Sequence, residues 1–423
     1  MSILSLFRKP QEVTNQISTT PVYFGNQTNA GESVTKKNAM QTSTVFACVR
    51  VVSEAIGSLP LKLYQHDGNS MTPDLEHPLY DILHLCPNDE MTSLDLRETM
   101  CVHLLLYGNS YSQIIRNGLG QVTAIYPLMP QKVEVNRNNN GEIFYTYRKD
   151  YDERYPKKDA ESVNLSKHEV LHIHGLSFDG LVGYSPIELA RQSIGLAKAT
   201  ENYGSTFFRN NATPGGILEH PSNLGTDGVE QIKKSFNKVY KGTKNSHQLS
   251  VLEEGMKYKQ VSIPPDSAQF LETRKFQRSE IASWFNVPPH MIGDLEHATF
   301  SNIEHQSIQF VKTTLTPWVT RIEQAMNVRL LSPSERKKYI IKFNLDGLLR
   351  GDYKTRMEGY AKGRQNGWYS SNDIRRLEDM PLLPPEIGDV YLVNGNMISI
   401  PDAAAGIAYD KLKHQVEEDS DDE

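Results

Sequence analysis

Apolar residues recur at helical spacing over about six turns in residues 302–330, well beyond the usual helix of about three turns. The pattern predicts one long helix with a continuous apolar face: Ile308, Val311, Leu315, Val319, Ile322, Met326 and Leu330. Pro317 lies inside this helix and presses on the carbonyl of Thr313, so we expect a kink there. The hydroxyl groups of Thr313, Thr314 and Thr316 can ease the distortion.

Two polar pairs mark helix starts around a loop that precedes the long helix. Asp266 with Gln269, and Ser301 with Glu304, have the spacing of a capping box, which predicts helices beginning near residues 267 and 302. The first of these helices carries a stripe of six side chains: Phe270, Arg274, Gln277, Ile281, Trp284 and Phe285. Pro288-Pro289 cannot continue that helix, so residues 295–300 remain as an exposed connection.

The rest of the chain mixes helical and extended patterns, and we predict an α+β fold. Helices are expected at 45–56, 94–107, 186–210, 227–241, 353–364 and 371–377. Residues 111–175 are predicted to be rich in strands, 339–343 to be a strand, and 249–252 with 258–261 to form a hairpin. Ser185 and Glu188 predict a capping box, with Pro186 at the first helical position. Gly359 and Gly363 interrupt the helix at 353–364.

Composition and charge indicate a globular protein with a nearly neutral body. The 423 residues, 38% of them hydrophobic, can bury a substantial core. The net charge is −6, but six of the last seven residues are acidic, and the other 45 acidic residues equal the 45 Lys and Arg. The body therefore lacks the basic excess of proteins that grip nucleic acid through many phosphates.

The two ends of the chain and its cysteines predict which segments are ordered and in which cellular compartment the protein is made. Residues 1–37 should form a flexible arm, and residues 401–423 a disordered acidic tail. No apolar run approaches the roughly 20 residues of a membrane span, and the first ten residues do not have the order of a secretory signal. The chain has an odd number of cysteines, and all three are set in apolar surroundings: Cys48, Cys86 and Cys101. This pattern favours reduced thiols in the core over disulfides or a zinc site.

Candidate chemistry is weak throughout the chain. His172 and His174 face one side of a predicted strand, but no acidic or cysteine partner has a ligand spacing, so no metal site is predicted. Gly183-Tyr184-Ser185-Pro186-Ile187 lacks the closing glycine of a nucleophile elbow, and Ser185 is explained as a helix cap. Gly242-Thr243-Lys244 lacks the upstream glycine of a phosphate loop. We therefore predict no catalytic residue and no cofactor.

One helix carries a basic face opposite its apolar face. In the helix at 227–241, Lys234, Lys238 and Lys241 lie opposite the four apolar residues Val229, Ile232, Phe236 and Val239. In a single chain such a face is most simply a solvated surface. If identical subunits surrounded DNA, however, the inward lysines would form a belt of positive charge.

Several motifs give the chain a specific resemblance. Ser279-Glu280-Ile281-Ala282, Phe285-Asn286-Val287-Pro288-Pro289 and Ser301-Asn302-Ile303-Glu304 resemble the signature of the HK97 family of bacteriophage portal proteins. Further matches occur in the family's order: Ala47-Cys48-Val49-Arg50, Tyr107-Gly108-Asn109-Ser110-Tyr111, Gly183-Tyr184-Ser185-Pro186 and Pro214-Gly215-Gly216. The resemblance extends over roughly residues 40 to 395.

The resemblance implies a homo-oligomeric ring, usually a dodecamer, at one capsid vertex, through which double-stranded DNA is packaged and ejected. Its implied partners are DNA in the channel, the terminase large subunit, the major capsid or scaffold protein, and a head-tail adaptor. It implies no membrane partner, assembly in the host cytoplasm and a final location in the virion. Because no phosphate loop is predicted, ATP hydrolysis would belong to the terminase.

The resemblance also divides the chain. It implies a wing at 38–224 and 303–350, stem helices at 225–242 and 266–287, a clip at 243–265, a tunnel loop at 288–302 and a crown at 351–400. The constriction of the channel is expected at Leu295, Glu296, His297, Ala298, Thr299 and Phe300, with Lys234, Lys238 and Lys241 as the basic face of the stem. The alternatives are a phage-encoded nucleic-acid-binding adaptor, which the neutral body disfavours, and a head-associated hydrolase, which lacks a catalytic constellation.

Overall fold

The computed structural model describes residues 27–66, 71–149, 161–209, 216–222, 225–240, 255–260, 267–295, 300–345, 353–378 and 380–392. The chain divides into two compact units, Met1–Asn344 and Leu345–Glu423. Both helices and strands are present, which agrees with the predicted α+β class. None of the helices in these ranges has the length and apolar character needed to cross a bilayer.

The helices of the first unit are α1 (Lys36–Ala39), α2 (Ser43–Ser58), α3 (Pro78–His84), α4 (Ser93–Tyr107), α5 (Pro186–Leu189), α6 (Arg191–Arg209), α7 (Thr226–Tyr240), α8 (Ser267–Trp284), α9 (Phe300–Phe310) and α10 (Thr316–Leu330). The strands are β1 (Leu61–His66), β2 (Met71–Pro73), β3 (Asn109–Arg116), β4 (Val122–Leu128), β5 (Val133–Arg137), β6 (Ile143–Arg148), β7 (Ser162–Ser166), β8 (Val170–His174), β9 (Gly216–Glu219), β10 (Lys257–Gln260) and β11 (Tyr339–Phe343).

Helix α2 is the central helix of the first unit. Its predicted apolar face is buried along the whole helix: Val45, Cys48, Val49, Val52 and Ile56. It packs against α4 and α8. The buried side chain of Arg97 in α4 donates Nε and Nη2 to the Gly57 carbonyl oxygen at 3.0 and 2.8 Å, which satisfies the C-terminal end of α2. Local periodicity alone was therefore sufficient to identify the core helix.

Order begins earlier than predicted. The expected flexible arm ends at residue 37, but the described chain is structured from Gln27, and Thr28 and Val34 are buried. Lys36 forms an ion pair with Glu188 of α5, and the Asn29 N–H donates to Gln192 Oε1 at 3.0 Å. These contacts reach residues far along the chain, so the polar composition of this segment did not indicate them. Residues 1–26 lie outside the described ranges.

The strands pair as antiparallel sheets. In the first unit β1 lies between β11 and β2, β3 lies between β4 and β8, and β6 lies between β5 and β7. The last two sheets enclose a common core: Tyr111, Leu128, Val135, Tyr145, Leu165 and Val170. The strand-rich region predicted at 111–175 and the strand at 339–343 are confirmed. Helix α10 lies against β8 and β11.

One prediction between residues 185 and 261 needs correction, and a second, the hairpin of 249–252 with 258–261, stays a prediction. Ser185 does cap α5, but the helix breaks at Ala190 and continues as α6, where one helix was predicted. The Glu188 side chain pairs with Lys36 instead of completing a capping box. Strand β10 pairs with β9, from Lys257 opposite Glu219 to Gln260 opposite Gly216. The predicted partner at 249–252 lies outside the described residues.

The predictions for the three cysteines and for the apolar stripe of α8 are confirmed only in part. Cys48 and Cys101 are buried free thiols, and burial raises the pKa of each to about 12. Cys86 is also a free thiol but is exposed, so its prediction as a core residue was wrong. Of the stripe predicted on α8, Gln277 and Ile281 are buried, as is Phe285 directly after the helix, whereas Arg274 is exposed and Trp284 is 46% exposed.

The second unit is helical in its described part. It contains α11 (Tyr353–Gln365), α12 (Ser371–Leu377) and α13 (Pro385–Gly388). Ser370 and Asp373 form a complete capping box at the start of α12. Contrary to the prediction, α11 continues through Gly359 and Gly363. A side chain at Gly363 would meet the Tyr369 ring at 2.4 Å, so this glycine permits a close contact.

Candidate functional site

The segment between α8 and α10 contains the predicted channel residues, and it begins with an unusual backbone turn. Asn286 has a φ of 53°, and no other non-glycine residue in the described ranges has a positive φ. Asparagine adopts this left-handed conformation more readily than most residues. The Val287 N–H then donates to the Ala282 carbonyl oxygen at 3.0 Å, which ends the helix. A 3₁₀ turn, Pro289–Ile292, follows, and the helix does not continue through the two prolines, as predicted.

Side chains fix this 3₁₀ turn to the helices on both sides. Arg278 of α8 donates Nη2 to the Ile292 carbonyl oxygen at 3.1 Å. His290 Nδ1 lies 2.7 Å from Gln306 Oε1 of α9. Val287 and Ile292 are buried, and the turn packs against α2. The start of the connection is therefore held by the core of the first unit.

The distortion predicted at Pro317 takes the form of a π turn, Val311–Leu315, between α9 and α10. Such a turn widens the helix by one residue and changes its hydrogen bonding. Thr316 Oγ1 donates to the Val311 carbonyl oxygen at 2.8 Å, and Thr313 Oγ1 to the Gln309 carbonyl oxygen at 2.9 Å. The predicted bonding by threonine hydroxyls is thus present, but the Thr313 carbonyl oxygen, which Pro317 cannot pair, accepts from Asn286 Nδ2 at 3.1 Å. The predicted apolar face also persists, because Val311, Leu315 and the corresponding residues of α10 are buried.

Asn286 connects the end of α8 to the π turn. Its Nδ2 donates to the carbonyl oxygen and Oγ1 of Thr313, at 3.1 and 3.2 Å. Its own carbonyl oxygen accepts from Oγ1 of the buried Thr314 at 2.5 Å. Asn286 lies in one of the family motifs, but the sequence indicated no role for it. An asparagine directly after a helix was the available signal, whereas its partners in the long helix were not visible.

The predicted constriction residues are only partly described. Leu295 is 63% exposed, and Glu296, His297, Ala298 and Thr299 lie outside the described ranges. Phe300 is the first residue of α9, so it belongs to the helix and not to the connection. The helix thus starts two residues before the predicted position near 302. The structure does not describe the side chains of Phe300, Ser301 and Glu304.

The predicted basic face of α7 is also partly described. Lys234 is exposed and lies 3.7 Å from Glu230, one turn away. Lys238 belongs to α7, but its side chain is outside the description, as is Lys241. On the opposite face Val229 is 37% exposed. In a single chain the apolar face of α7 is therefore incompletely covered.

Two of the family motifs meet in space and interlock. Asn109 donates Nδ2 to the Gly183 carbonyl oxygen at 2.8 Å, and its Oδ1 accepts from the Gly183 N–H at 2.7 Å. A Cβ atom at Gly183 would lie 2.1 Å from the Gly108 carbonyl oxygen. Ser185 donates Oγ to the Leu106 carbonyl oxygen at 2.5 Å. Ser185 is thus used as a cap and a bridge between motifs, which agrees with the structural interpretation of this serine.

His172 takes part in the same junction. Its Nε2 lies 3.2 Å from Asn109 Oδ1, its Nδ1 lies 3.3 Å from Tyr145 Oη, and its ring stacks on Tyr111 at 4.4 Å. Burial, with smaller effects of His174 and Arg329, lowers the pKa of His172 to about 3. The ring is therefore neutral and hydrogen-bonded at physiological pH. In the described ranges no group of three or more His, Cys, Asp or Glu is placed to hold a metal ion.

The chain matches known proteins over most of its length. The family model for phage portal proteins matches residues 43–379. The chain is 37% identical over 378 residues to the probable portal protein of Streptomyces phage phiC31, covering 87% of this chain and 81% of that protein. It is 33% identical over 375 residues to the portal protein of Enterobacteria phage HK97, covering 88% of this chain and 85% of that protein.

Solved structures share the fold. A chain in the neck of an empty gene transfer agent particle, computed with C6 symmetry, matches with a TM-score of 0.57 and 23% identity over 82% of this chain and 94% of that chain. An HK97 family phage portal protein from Corynebacterium diphtheriae matches with a TM-score of 0.55 and 15% identity, over 74% of this chain and 96% of that chain. The extent of these matches and the sequence relationships together show that this chain belongs to the phage portal protein family.

Proposed function

We propose that this protein forms the ring at one vertex of a phage capsid through which double-stranded DNA is packaged and later ejected. The observation that carries the proposal is the match to portal proteins of two phages over 87% and 88% of the chain. Solved relatives occur in the neck of gene transfer agent particles computed with C6 and C12 symmetry. Neither sequence nor fold points to an adaptor or a hydrolase, the two alternatives considered above.

The proposal assigns the parts of the chain as the resemblance implied. The wing comprises 38–224 and 303–350, the stem helices 225–242 and 266–287, the clip 243–265, the tunnel loop 288–302 and the crown 351–400. Helices α7 and α8 fall within the two stem ranges, which supports this assignment. The protein is proposed to have no enzymatic activity, so the terminase large subunit supplies the ATP hydrolysis that drives packaging.

Exposed apolar side chains on α8 support an assembly of several copies. Phe276 is 68% and Leu271 58% exposed in the single chain. Large apolar side chains exposed together on one helix are typical of surfaces that are covered by a partner. In a ring each copy contacts its two neighbours through different surfaces, and a stem helix lies between those neighbours. We propose that these two side chains are buried between copies, with a dodecamer as the expected ring.

The neutral body suits the passage of DNA. Many salt bridges to phosphates would hold the duplex and resist its movement, because each neutralised phosphate adds to affinity. We propose that the stem presents Lys234, Lys238 and Lys241 to the channel and that Leu295 to Phe300 form its constriction. Further proposed partners are the major capsid or scaffold protein and a head-tail adaptor. The ring is proposed to assemble in the host cytoplasm and to remain in the virion.

Native mass spectrometry of the purified full-length chain tests the ring. We expect a single closed oligomer at micromolar concentration and moderate salt. Phe276→Ser should weaken that oligomer, whereas Glu272→Ser, one turn away on the same helix, should not. A strictly monomeric wild-type chain would contradict the proposed function. Equal assembly of both variants would show that Phe276 lies outside the subunit interface.

A further inference from the structure

Helix α10 has a second surface that is not buried in the core. One face packs on β8 and β11, and the opposite face lines a cavity of about 440 Å³, which we call the α10 cavity. Three turns of the helix contribute the side chains that decide its chemistry: Arg321, Ala325, Val328 and Arg329. Strands β5, β6 and β8 form further walls. Val328 is 51% exposed, so the cavity is open to solvent.

The charged residues of the α10 cavity all carry the same sign. Arg321 and Arg329 lie eight positions apart, which is about 12 Å along the helix axis. Arg321 is exposed, and its Nη1 lies 3.4 Å from the carbonyl oxygens of His174 and Gly175. Arg329 is half-buried, and in the described part of the chain neither arginine is paired with a carboxylate. None of the described lining residues is Asp or Glu, so the cavity attracts anions.

The surface between the two arginines is apolar. Ala325 and Val328 lie between them on α10, and Val135 of β5 also lines the cavity. Tyr145 and His172 line it as a neutral pair, hydrogen-bonded to each other at 3.3 Å. A ligand that matches this surface has an apolar group between two negative charges.

The dimensions favour an extended chain over a helix. A cavity of about 440 Å³ that extends over about 12 Å has a mean width of about 6 Å. A helix with its side chains is about 10 Å wide, whereas neighbouring strands of a sheet are about 5 Å apart. In an extended chain every second side chain points to the same side, and the first and fifth residues are about 13 Å apart. This distance matches the spacing of Arg321 and Arg329.

Two other occupants fit the α10 cavity less well. A DNA duplex carries its phosphates on a convex surface and has no apolar side chain that could enter a recess between two cations. A second copy of this chain has no matching extended segment. Acidic residues four positions apart occur only among the last seven residues of the chain, and there the middle residue is Asp or Ser. The matching partner is therefore a different protein.

We propose that the α10 cavity binds an extended segment of another protein, with acidic side chains at its first and fifth positions and an apolar side chain at the third. Arg321 and Arg329 each bind one carboxylate, and the apolar side chain packs on Ala325 and Val328. All these residues belong to one chain, so binding does not require the ring. The use of this surface to attach a protein at the capsid vertex rests on the proposed function.

Fluorescence anisotropy with a synthetic peptide tests the proposal on the full-length chain. The probe is Glu-Thr-Val-Thr-Glu with an uncharged dye at its amino terminus and an amide at its carboxyl terminus, and we expect saturable binding. Arg329→Gln should weaken binding about tenfold, because a charged hydrogen bond at a half-buried site is lost. Arg321→Gln should weaken it about threefold, because an ion pair at an exposed arginine contributes less.

Matched controls separate this site from general attraction of charge. Lys337→Gln removes an exposed positive charge that does not line the cavity, so it should leave the dissociation constant unchanged. The peptide Glu-Thr-Val-Glu-Thr, whose acids point to opposite sides, should bind more weakly than the probe, as should Glu-Thr-Ser-Thr-Glu, which lacks the apolar side chain.

Three results would overturn the proposal. They are the absence of saturable binding up to millimolar probe, equal binding by wild type and by both arginine variants, and displacement of the probe by a short DNA duplex. The last result would show that the cavity binds phosphates. None of them would affect the proposed ring, because assembly is read separately from native mass.

Discussion

Asn109 and Gly183 show how single residues join distant parts of this chain. Both hydrogen-bonding groups of the Asn109 amide are used by the backbone of Gly183, and Asn109 Oδ1 also lies beside His172 Nε2. Glycine is required at position 183 because the backbone of Gly108 approaches so closely. The residues of two family motifs are therefore explained by packing within the first unit.

A small side chain at position 183 should be costly. In Gly183→Ala the added methyl group would meet the Gly108 carbonyl oxygen at 2.1 Å, so the backbone must move apart and weaken the Asn109 bonds. We expect a loss of about 1–3 kcal/mol in the free energy of unfolding, the usual cost of overpacking. Chemical denaturation measures it. Gly118→Ala, where nothing lies within 4 Å of the new methyl group, is the control and should be nearly neutral.

His172 should make the stability of the first unit depend on pH. Burial holds its pKa in the folded chain at about 3, below the ordinary value of 6.5, so between these values the unfolded chain binds a proton that the folded chain does not. Its contribution is therefore fully present above pH 6.5 and is lost as the pH falls toward 3. Buried His103, whose pKa is lowered to about 4 by burial, adds to the same slope.

The variant His172→Gln separates the two histidines. Melting temperatures measured from pH 7 to pH 4 should fall less steeply in this variant than in wild type, although the variant is less stable at pH 7. His84→Gln changes an exposed histidine and serves as the control. An unchanged slope in His172→Gln would show that His172 is not the group responsible.

At the scale of elements, α7 and α8, the helices proposed to form the stem, each have faces with different surroundings. Helix α7 has a partly exposed apolar face with Val229 and a polar face with Lys234. Helix α8 buries Gln277 and Ile281 against its own subunit but exposes Leu271 and Phe276. Large apolar side chains left exposed on a helix can be covered by a partner. The proposed ring supplies that partner.

Replacing the three stem lysines together should alter DNA handling without disturbing assembly. Lys234, Lys238 and Lys241 lie opposite the apolar face of α7, so the triple change to glutamine leaves the proposed subunit contact intact. Because the triple change removes three positive charges, the retention of DNA should depend less on the salt concentration. Native mass spectrometry and the amount of DNA per particle measure the two effects. Failure of the variant to assemble would place these lysines in a subunit interface and contradict the proposed channel face.

At the scale of the whole molecule, the described residues on the two sides of the connection between α8 and α9 are held in different ways. On one side the 3₁₀ turn is held by Arg278 and by α2. On the other side α9 begins at Phe300, and among its described side chains Phe310 is buried and Gln306 is paired with His290. We therefore expect a change at this connection to leave the buried contacts of α2 and α10 intact.

Exchange of Glu296 to Thr299 for Gly-Ser-Gly-Ser should leave rings intact but reduce packaging or retention of DNA. The replacement keeps the length of the connection but removes its side chains, so it tests whether those side chains are needed. A deletion of the same four residues tests whether the length of the connection is needed. Rings that package and hold a complete genome after both changes would refute the assigned constriction. Loss of the ring itself would show that the connection holds subunits together.

The sequence by itself determined those features that depend on neighbours in the chain. The apolar faces of α2 and α10, the cap at Ser185, the strand-rich region at 111–175 and the stop at Pro288 follow from periodicity, capping and proline geometry, and all are present. The bonds of Thr313 and Thr316 to carbonyl oxygens around the π turn were also predictable, because a side chain can reach a carbonyl one turn away on its own helix.

Only the tertiary structure decided which distant segments meet. The pairing of β9 with β10, the order of residues 27–39 against α5 and α6, the approach of Gly183 to Gly108 and the bonds of Asn286 to the π turn all join residues far apart in the chain. Local pattern carries no information about such partners, since their hydrogen bonds and close contacts form only when the core brings the segments together.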